Sequence, residues 1–335
     1  MKNKPKILVT GADGFIGSHL TEKLVSLGYK VRAFTFYNSF GLNGWLDYIE
    51  KRNKHNVEIF SGDIRDSDLV KKATKGIDII FHLAALIGIP HSYSSSESYI
   101  DTNTKGTLNV LMAAKEYNVK KIIHTSTSEV YGTAKNIPMT ENHSISAQSP
   151  YSASKIAADQ LCMSFFNSFD IPVTILRPFN TFGPRQSGRA IIPTIISQCI
   201  NNEKFLTLGN INPLRDFNYI DDTVNAFIKC IKARNIAGET INIGSGKEFS
   251  IRTIALIISK YFDKKIKIVK DKKRIRPKKS EVQRLCASNK KAQKLLNWKP
   301  GIKSRKDFEK KILLTIEWFK KNQEIFKIDS KKYNL

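Results

Sequence analysis

The sequence predicts an α/β protein: a doubly wound parallel sheet followed by a smaller α/β region. In its first half, short apolar runs alternate with amphipathic segments, the pattern of strands joined by crossover helices. A glycine-rich turn separates the first such run from the first amphipathic segment. Beyond Pro178 the pattern loosens into loops rich in Asn, Pro, Gly and Arg, with no internal repeat and no flexible linker. Strands are expected at Ile7–Val9, Val31–Phe34, Val57–Phe60, Ile77–Phe81 and Lys121–His124, and helices at about 15–28, 66–75, 94–118 and 151–169. Pro172–Leu176 extends the sheet, and further helices are expected near 190–201, 221–235, 250–262 and 307–325. The second region is expected to pack on the first and close a cleft over it.

Composition excludes several classes. With 41% hydrophobic residues the chain is too apolar to be disordered as a whole, and no apolar stretch is long enough to span a bilayer. Four scattered cysteines, Cys162, Cys199, Cys230 and Cys286, form no C-x-x-C pair and read as reduced thiols. A cytoplasmic protein without membrane attachment is therefore expected. The net charge is +25, and the last quarter, Lys260–Leu335, holds 26 basic against 8 acidic residues. Most of these are lysines interleaved with apolar residues at helical spacing. No aromatic-interleaved RNA motif or zinc finger accompanies them, so the field is read as attracting a small polyanion, not a nucleic acid. His91, His124 and His143 have no ligand-like spacing, and no metal is expected.

The first strand runs into Thr10-Gly11-Ala12-Asp13-Gly14-Phe15-Ile16-Gly17, a G-x-x-G-x-x-G turn opening a helix. Gly11, Gly14 and Gly17 allow a tight turn and close approach of backbone to a pyrophosphate, while the helix N-terminus favours the anion. This predicts a dinucleotide, with Phe15 and Ile16 in the loop beside it. The acidic residue usual for the adenosine ribose is missing: counting places Thr35 there, with no Arg directly after the strand. A hydroxyl bonds a ribose without repelling a 2′-phosphate, so NAD is favoured and NADP stays open.

The fifth strand leads into Thr127-Ser128-Glu129, and Tyr151-Ser152-Ala153-Ser154-Lys155 follows on a helix. Tyr151 and Lys155, four apart, share a face. An ammonium beside a phenol favours the phenolate, which predicts a lowered Tyr151 pKa and a base for a sugar hydroxyl. The residues also allow structural readings: Glu129 as a cap or ion pair at the sheet end, Ser128 as a turn hydroxyl, and His82 as a structural histidine.

This combination resembles the extended short-chain dehydrogenase/reductase superfamily, in its NAD-dependent sugar-nucleotide epimerase/dehydratase branch, over nearly the whole chain. The resemblance implies a Rossmann-like domain at 1–177 with a return segment at about 216–245, and a mainly sugar-nucleotide-binding domain at 178–335. It places Asp63 and Ile64 of Gly62-Asp63-Ile64-Arg65-Asp66 at the adenine, and Leu83, Ala84 and Ala85 along the cofactor. It also places Asn103, of the following helix motif, and Tyr151 at the cofactor, with Lys155 holding the nicotinamide ribose. On the substrate diphosphate it places Asn180, Arg185, Arg215 and Arg276, arginines that are otherwise read as surface ion pairs. It also implies a homodimer paired through the helices near 94–118 and 151–169.

Thr-Ser-Glu at 127–129 is similar to GDP-mannose dehydratases, and UDP-glucuronate decarboxylases share it, whereas simple 4-epimerases usually lack the acid. Tyr37-Asn38-Ser39-Phe40, Ala85–Pro90, Arg185–Thr194 and Lys279–Val282 resemble bacterial GDP- or UDP-N-acetylglucosamine 4,6-dehydratases of legionaminic acid biosynthesis. The expected reaction is C4 oxidation, loss of water across C5–C6 and hydride return to C6, with Thr127, Ser128, Glu129, Tyr151 and Lys155 as its catalytic residues. A UDP-sugar 4-epimerase is the alternative, then a UDP-glucuronate decarboxylase.

Overall fold

The computed structural model describes residues 4–49, 55–263 and 267–325. β1 (Ile7–Thr10), α1 (Phe15–Ser26), β2 (Val31–Phe36), β3 (Val57–Gly62), α2 (Ser67–Thr74), β4 (Ile79–His82) and β5 (Lys121–Thr125) follow the expected alternation within a residue or two. α6 (Pro150–Phe169) and β6 (Val173–Pro178) continue it. The runs of β1, β4 and β6 are buried on both faces, as the centre of a parallel sheet between helical layers requires.

The seventh strand is β10 (Thr240–Ile243), reached from β6 by a long excursion. The order is β10-β6-β5-β4-β1-β2-β3, every pairing parallel. Sequence neighbours run outward from β1 to β3, and then the chain returns to β4 on β1's other side. That reversal opens a crevice at the carboxyl ends of β1 and β4, where open α/β sheets take their ligands.

The stretch expected as one helix at 94–118 is broken. α3 (Ile89–Ser94) and α4 (Ser96–Tyr99) lead into a π-helical turn at Ile100–Lys105, and regular α-helix resumes at α5 (Gly106–Glu116). The wide turn brings Asn103 inward, where it brackets Leu86: its Oδ1 accepts Leu86 N–H and its Nδ2 donates to Leu86 O. A Cβ on Gly106 would lie 2.9 Å from Ile64 Cγ2, so α5 packs tightly there.

The second region adds β7 (Asn180–Phe182), α7 (Ile191–Ile200), β8 (Phe205–Leu208), β9 (Leu214–Tyr219) and α8 (Ile220–Lys232). After β10 come β11 (Glu248–Ser250), α9 (Ile251–Tyr261), β12 (Lys267–Lys270), α10 (Lys290–Leu296) and α11 (Arg305–Lys321). β11-β9-β7 and β12-β8 form two small sheets, and none of these strands was legible as a strand. β9 shows why: its buried residues include Arg215, Asp216 and Asn218, so it carries no apolar signature. Phe308 of α11 stacks on Phe249 at 4.2 Å and meets Phe182 and Phe217, which ties the region together. Among the described residues no helix is long and apolar enough to cross a membrane.

Candidate active site

A cavity of about 1060 Å³ runs from the glycine turn, past the ends of β4 and β5, to the loops of the second region. Its first end is shaped by backbone. α1 begins without a side-chain cap and without an acidic residue in its first turn, so its N–H groups remain available to an anion. A Cβ on Gly17 would lie 2.0 Å from Gly11 O, and one on Gly11, at φ +67°, would meet Ala84 N at 2.8 Å. The glycines therefore form a cradle in which backbone packs on backbone where any side chain would clash. Gly14, Phe15, Ile16, Asp63, Ile64, Leu83, Ala84 and Ala85 line it as expected, and Arg65 grips the Asp63 carboxylate at 2.6 Å.

Two expected cofactor residues lie elsewhere. Thr35 is buried and its Oγ1 pairs with Ser61 Oγ at 3.2 Å, while Phe34 and Phe36 of the same strand line the cavity. β2 ends one residue later than Thr35, and side-chain alternation sends Thr35 to the other face. Asn103 stands behind the wall, fixing Leu86 and donating to Ser154 Oγ, so it positions the lining instead of touching a ligand.

His82 is a strut. Its Nδ1 lies 2.8 Å from Thr10 Oγ1 and its Nε2 3.0 Å from Thr107 Oγ1. Thr107 donates its own proton to Asn103 O, and Thr10 Oγ1 accepts the N–H groups of Leu83 and Ala84. The network is satisfied by a neutral ring protonated at Nε2. Burial, with the charges of His124 and Lys155 adding to it, holds its pKa well below the usual value.

At the middle of the cavity, Thr127 caps a 3₁₀ turn at Ser128–Tyr131 by accepting Glu129 N–H at 3.2 Å. Ser152 on α6 donates to Glu129 O at 3.0 Å, fastening the turn to the helix that carries Tyr151 and Lys155. Thr127, Ser128, Glu129, Tyr151 and Lys155 thus face one space. The expected depression of Tyr151 is not found. Burial pushes its phenol pKa up, Thr127's hydrogen bond opposes this, and Glu129's charge raises it further. Lys155, whose own pKa burial lowers, points Nζ at Thr125 O at 2.6 Å. The pair shares a helix face, but in the free protein the phenol stays protonated at neutral pH.

Behind Lys155, Asp159 extends the i, i+4 series and is fully enclosed. Arg177 Nη2 lies 2.9 Å from it and Ser126 donates to it at 2.8 Å. His124 Nε2 is 3.4 Å away from Asp159 Oδ1 without hydrogen-bond alignment. Burial, reinforced by Lys155 and opposed by Asp159, lowers the His124 pKa from 6.5 to about 4. A depressed histidine keeps its stabilising effect above the unfolded value and loses it as pH falls, because the unfolded chain takes up a proton that the fold refuses. Between pH 7.5 and 5, wild type should lose about 2 kcal/mol more stability than His124→Gln. Denaturant titrations at the two pH values measure this, and equal losses would show that His124 is not held neutral.

The far end is cationic. Arg215 is buried, donates to Leu214 O at 3.1 Å and lies 3.4 Å from Glu281, which also sits 3.8 Å from Arg276. Arg276 Nη1 is buried without a hydrogen-bond partner, a donor placed for an incoming anion. Asn180 lines the wall and donates to Asp216 O at 3.3 Å.

Arg185 departs from expectation: its backbone is left-handed at φ +67°, and its guanidinium turns back to Glu22 of α1 at 2.9 Å, off the cavity. Arg189 from the same loop lines the cavity instead, close against Gly88. Sequence reasoning also missed Gln186, whose Oε1 is buried without a partner, and Asp13. The Arg185–Thr194 run held the signal for Arg189, but not which of its two arginines turns inward.

Comparison with known proteins fits this geometry. Residues 8–310 match the family described as GDP-mannose 4,6 dehydratase. The chain is 31% identical to a UDP-glucuronate 4-epimerase of Thermodesulfobacterium geofontis, covering 96% of this chain and 98% of that protein. It is 35% identical to the human dTDP-D-glucose 4,6-dehydratase over 75% of this chain and 72% of that one. A solved Bacillus cereus UDP-glucuronic acid 4-epimerase, in complex with UDP-glucuronic acid and NAD, superposes with TM-score 0.84 at 30% identity, covering 94% and 99% of the two chains. The glycine cradle, the uncapped start of α1 and the Tyr151–Lys155 pair fit NAD. The chain belongs to the NAD-dependent nucleotide-sugar epimerase/dehydratase family, on its GDP-mannose 4,6-dehydratase-like side.

Proposed function

We propose that the chain is a sugar-nucleotide 4,6-dehydratase that converts GDP- or UDP-N-acetylglucosamine to the 4-keto-6-deoxy sugar. The observation that carries this reading is Glu129, a carboxylate facing the same space as Tyr151 and close enough to act on its phenol. Oxidation at C4 needs no acid–base side chain beyond the Tyr151–Lys155 pair; an added carboxylate suits removal of the C5 proton. The choice of sugar and base rests on the motif likeness of the Ala85–Pro90 and Arg185–Thr194 segments.

Tyr151 takes the O4 proton while Thr127 holds O4. NAD, held at the glycine turn and by Lys155, would supply a reversible hydride acceptor and a positive charge that favours the phenolate, so no net oxidant would be consumed. The 4-keto group acidifies C5–H and Glu129 takes that proton. The freed electron pair forms the C5=C6 bond as the C6–O bond breaks. The oxygen leaves as water, protonated through Ser128 or by the proton that Glu129 returns. The product is completed by hydride at C6 and by a proton at C5: the one Tyr151 took from O4, or the one still on Glu129 if Ser128 relayed the tyrosine's proton to the leaving water. Arg215, Arg276 and Asn180 hold the diphosphate, with Arg189 in place of Arg185. In this reading 1–177 with the return at about 216–245 serves NAD, 178–335 mainly serves the sugar nucleotide, and two chains pair through the α5 and α6 faces. Residues 326–335 lie outside the described residues.

The second reading, a UDP-sugar 4-epimerase, is favoured by epimerases among relatives of comparable identity. The test is mass spectrometry of GDP- and UDP-N-acetylglucosamine, GDP-mannose, dTDP-glucose and UDP-glucuronate after incubation with the protein and catalytic NAD. The expected product is lighter by one water, without net NADH. An isobaric product makes the chain an epimerase, and loss of CO₂ a decarboxylase.

A further inference from the structure

We propose that Asp13, inside the glycine turn, is the carboxylate that selects NAD against NADP, replacing the acidic residue that the end of β2 lacks. NAD and NADP differ only at the adenosine 2′ position, and a carboxylate there accepts from the ribose hydroxyls while repelling a phosphate. The strand that usually supplies it ends here in Thr35-Phe36, with Thr35 turned into the fold.

Asp13 reaches the vacated place from the neighbouring loop. Its Oδ2 accepts Phe36 N–H at 3.3 Å, which fixes the carboxylate at the carboxyl end of β2. Asp13 lines the cavity together with Phe34, Phe36 and Gly62, the residues around that strand end. Its backbone is clamped from outside: Trp45 N–H donates to Asp13 O at 3.1 Å, and Gly44, at φ +56°, packs so closely that a Cβ would lie 2.6 Å from that oxygen. The short helix Gly44–Tyr48 therefore holds the turn in place.

The carboxylate is incompletely satisfied. Burial pushes its pKa up, and the groups opposing this are two backbone N–H groups, Phe36's and its own. Among the described residues no basic side chain appears with them. An ionised carboxylate has about four acceptor sites, so sites remain for two vicinal hydroxyls. Ribose offers such a pair, and a 2′-phosphate in the same place would set like charges together at short range.

The inference needs NAD binding alone and is independent of which sugar reaction follows. The test is calorimetric titration of the full chain, stripped of nucleotide, with NAD and with NADP. Wild type should bind NAD at least about tenfold more tightly than NADP. Asp13→Asn keeps an acceptor for Phe36 N–H; it should raise the NAD Kd about tenfold and narrow the preference by a similar factor or more. Asp13→Ser should do the same, and Thr35→Val should leave the preference unchanged. Equal affinities in wild type, an unchanged preference in either Asp13 variant, or a shift produced by Thr35→Val would overturn the proposal.

Discussion

Tyr151→Phe is expected to lower turnover by about 10²–10⁴-fold, the range for removing a positioned acid–base group. The ring should stay in place. Tyr151 packs edge-on against Tyr99 with ring centroids 6.2 Å apart, and α6 is capped independently by Ser149, so deleting one oxygen leaves the packing. The loss should therefore fall on kcat with KM little changed, because the proposed diphosphate contacts are Arg215 and Arg276, not the phenol. Steady-state kinetics and a thermal melt on the same preparation measure both. Retained turnover would move the proton transfer to another residue, whichever sugar reaction the chain performs.

Glu129→Gln should separate the two halves of the reaction. In the proposed mechanism C4 oxidation depends on Tyr151, Lys155 and NAD, so a reduced-nicotinamide absorbance should build up on mixing with substrate. The water-loss product should fall by about 10²–10⁴-fold. Removing the carboxylate also takes away a charge that raises the Tyr151 pKa, so oxidation should shift to lower pH in the variant. Arg215 loses the same partner, yet Glu281 remains 3.4 Å from it, so diphosphate binding should persist. Full dehydratase turnover in Glu129→Gln would leave this residue a cap of the sheet end.

The parts of the fold legible in the sequence were those governed by local periodicity. β1 to β6 and most helices are signalled by apolar runs and their spacing, and the Tyr151–Lys155 pair by the fixed geometry of a helix. The misplaced residues turn on choices that periodicity does not record. Thr35 and Phe36 differ by one position, and the face each takes depends on where β2 ends. Arg185 and Arg189 share one loop, and the left-handed backbone at Arg185 sends its guanidinium to Glu22. The π turn at Ile100–Lys105 accompanies a tertiary contact, Asn103 with Leu86, inside a stretch whose periodicity reads as regular α-helix. Helix spacing records neither the burial that raises the Tyr151 pKa nor where Lys155 Nζ points; the Thr125 carbonyl claims Nζ.

The most direct test of the dehydratase reading is the fate of a deuterium placed at C4 of GDP-N-acetylglucosamine, with the UDP sugar run in parallel. The account predicts a product one water lighter with that deuterium at C6, since the hydride taken from C4 is returned there. Deuterium found again at C4, in a product of unchanged mass with inverted configuration, would contradict it and establish a 4-epimerase.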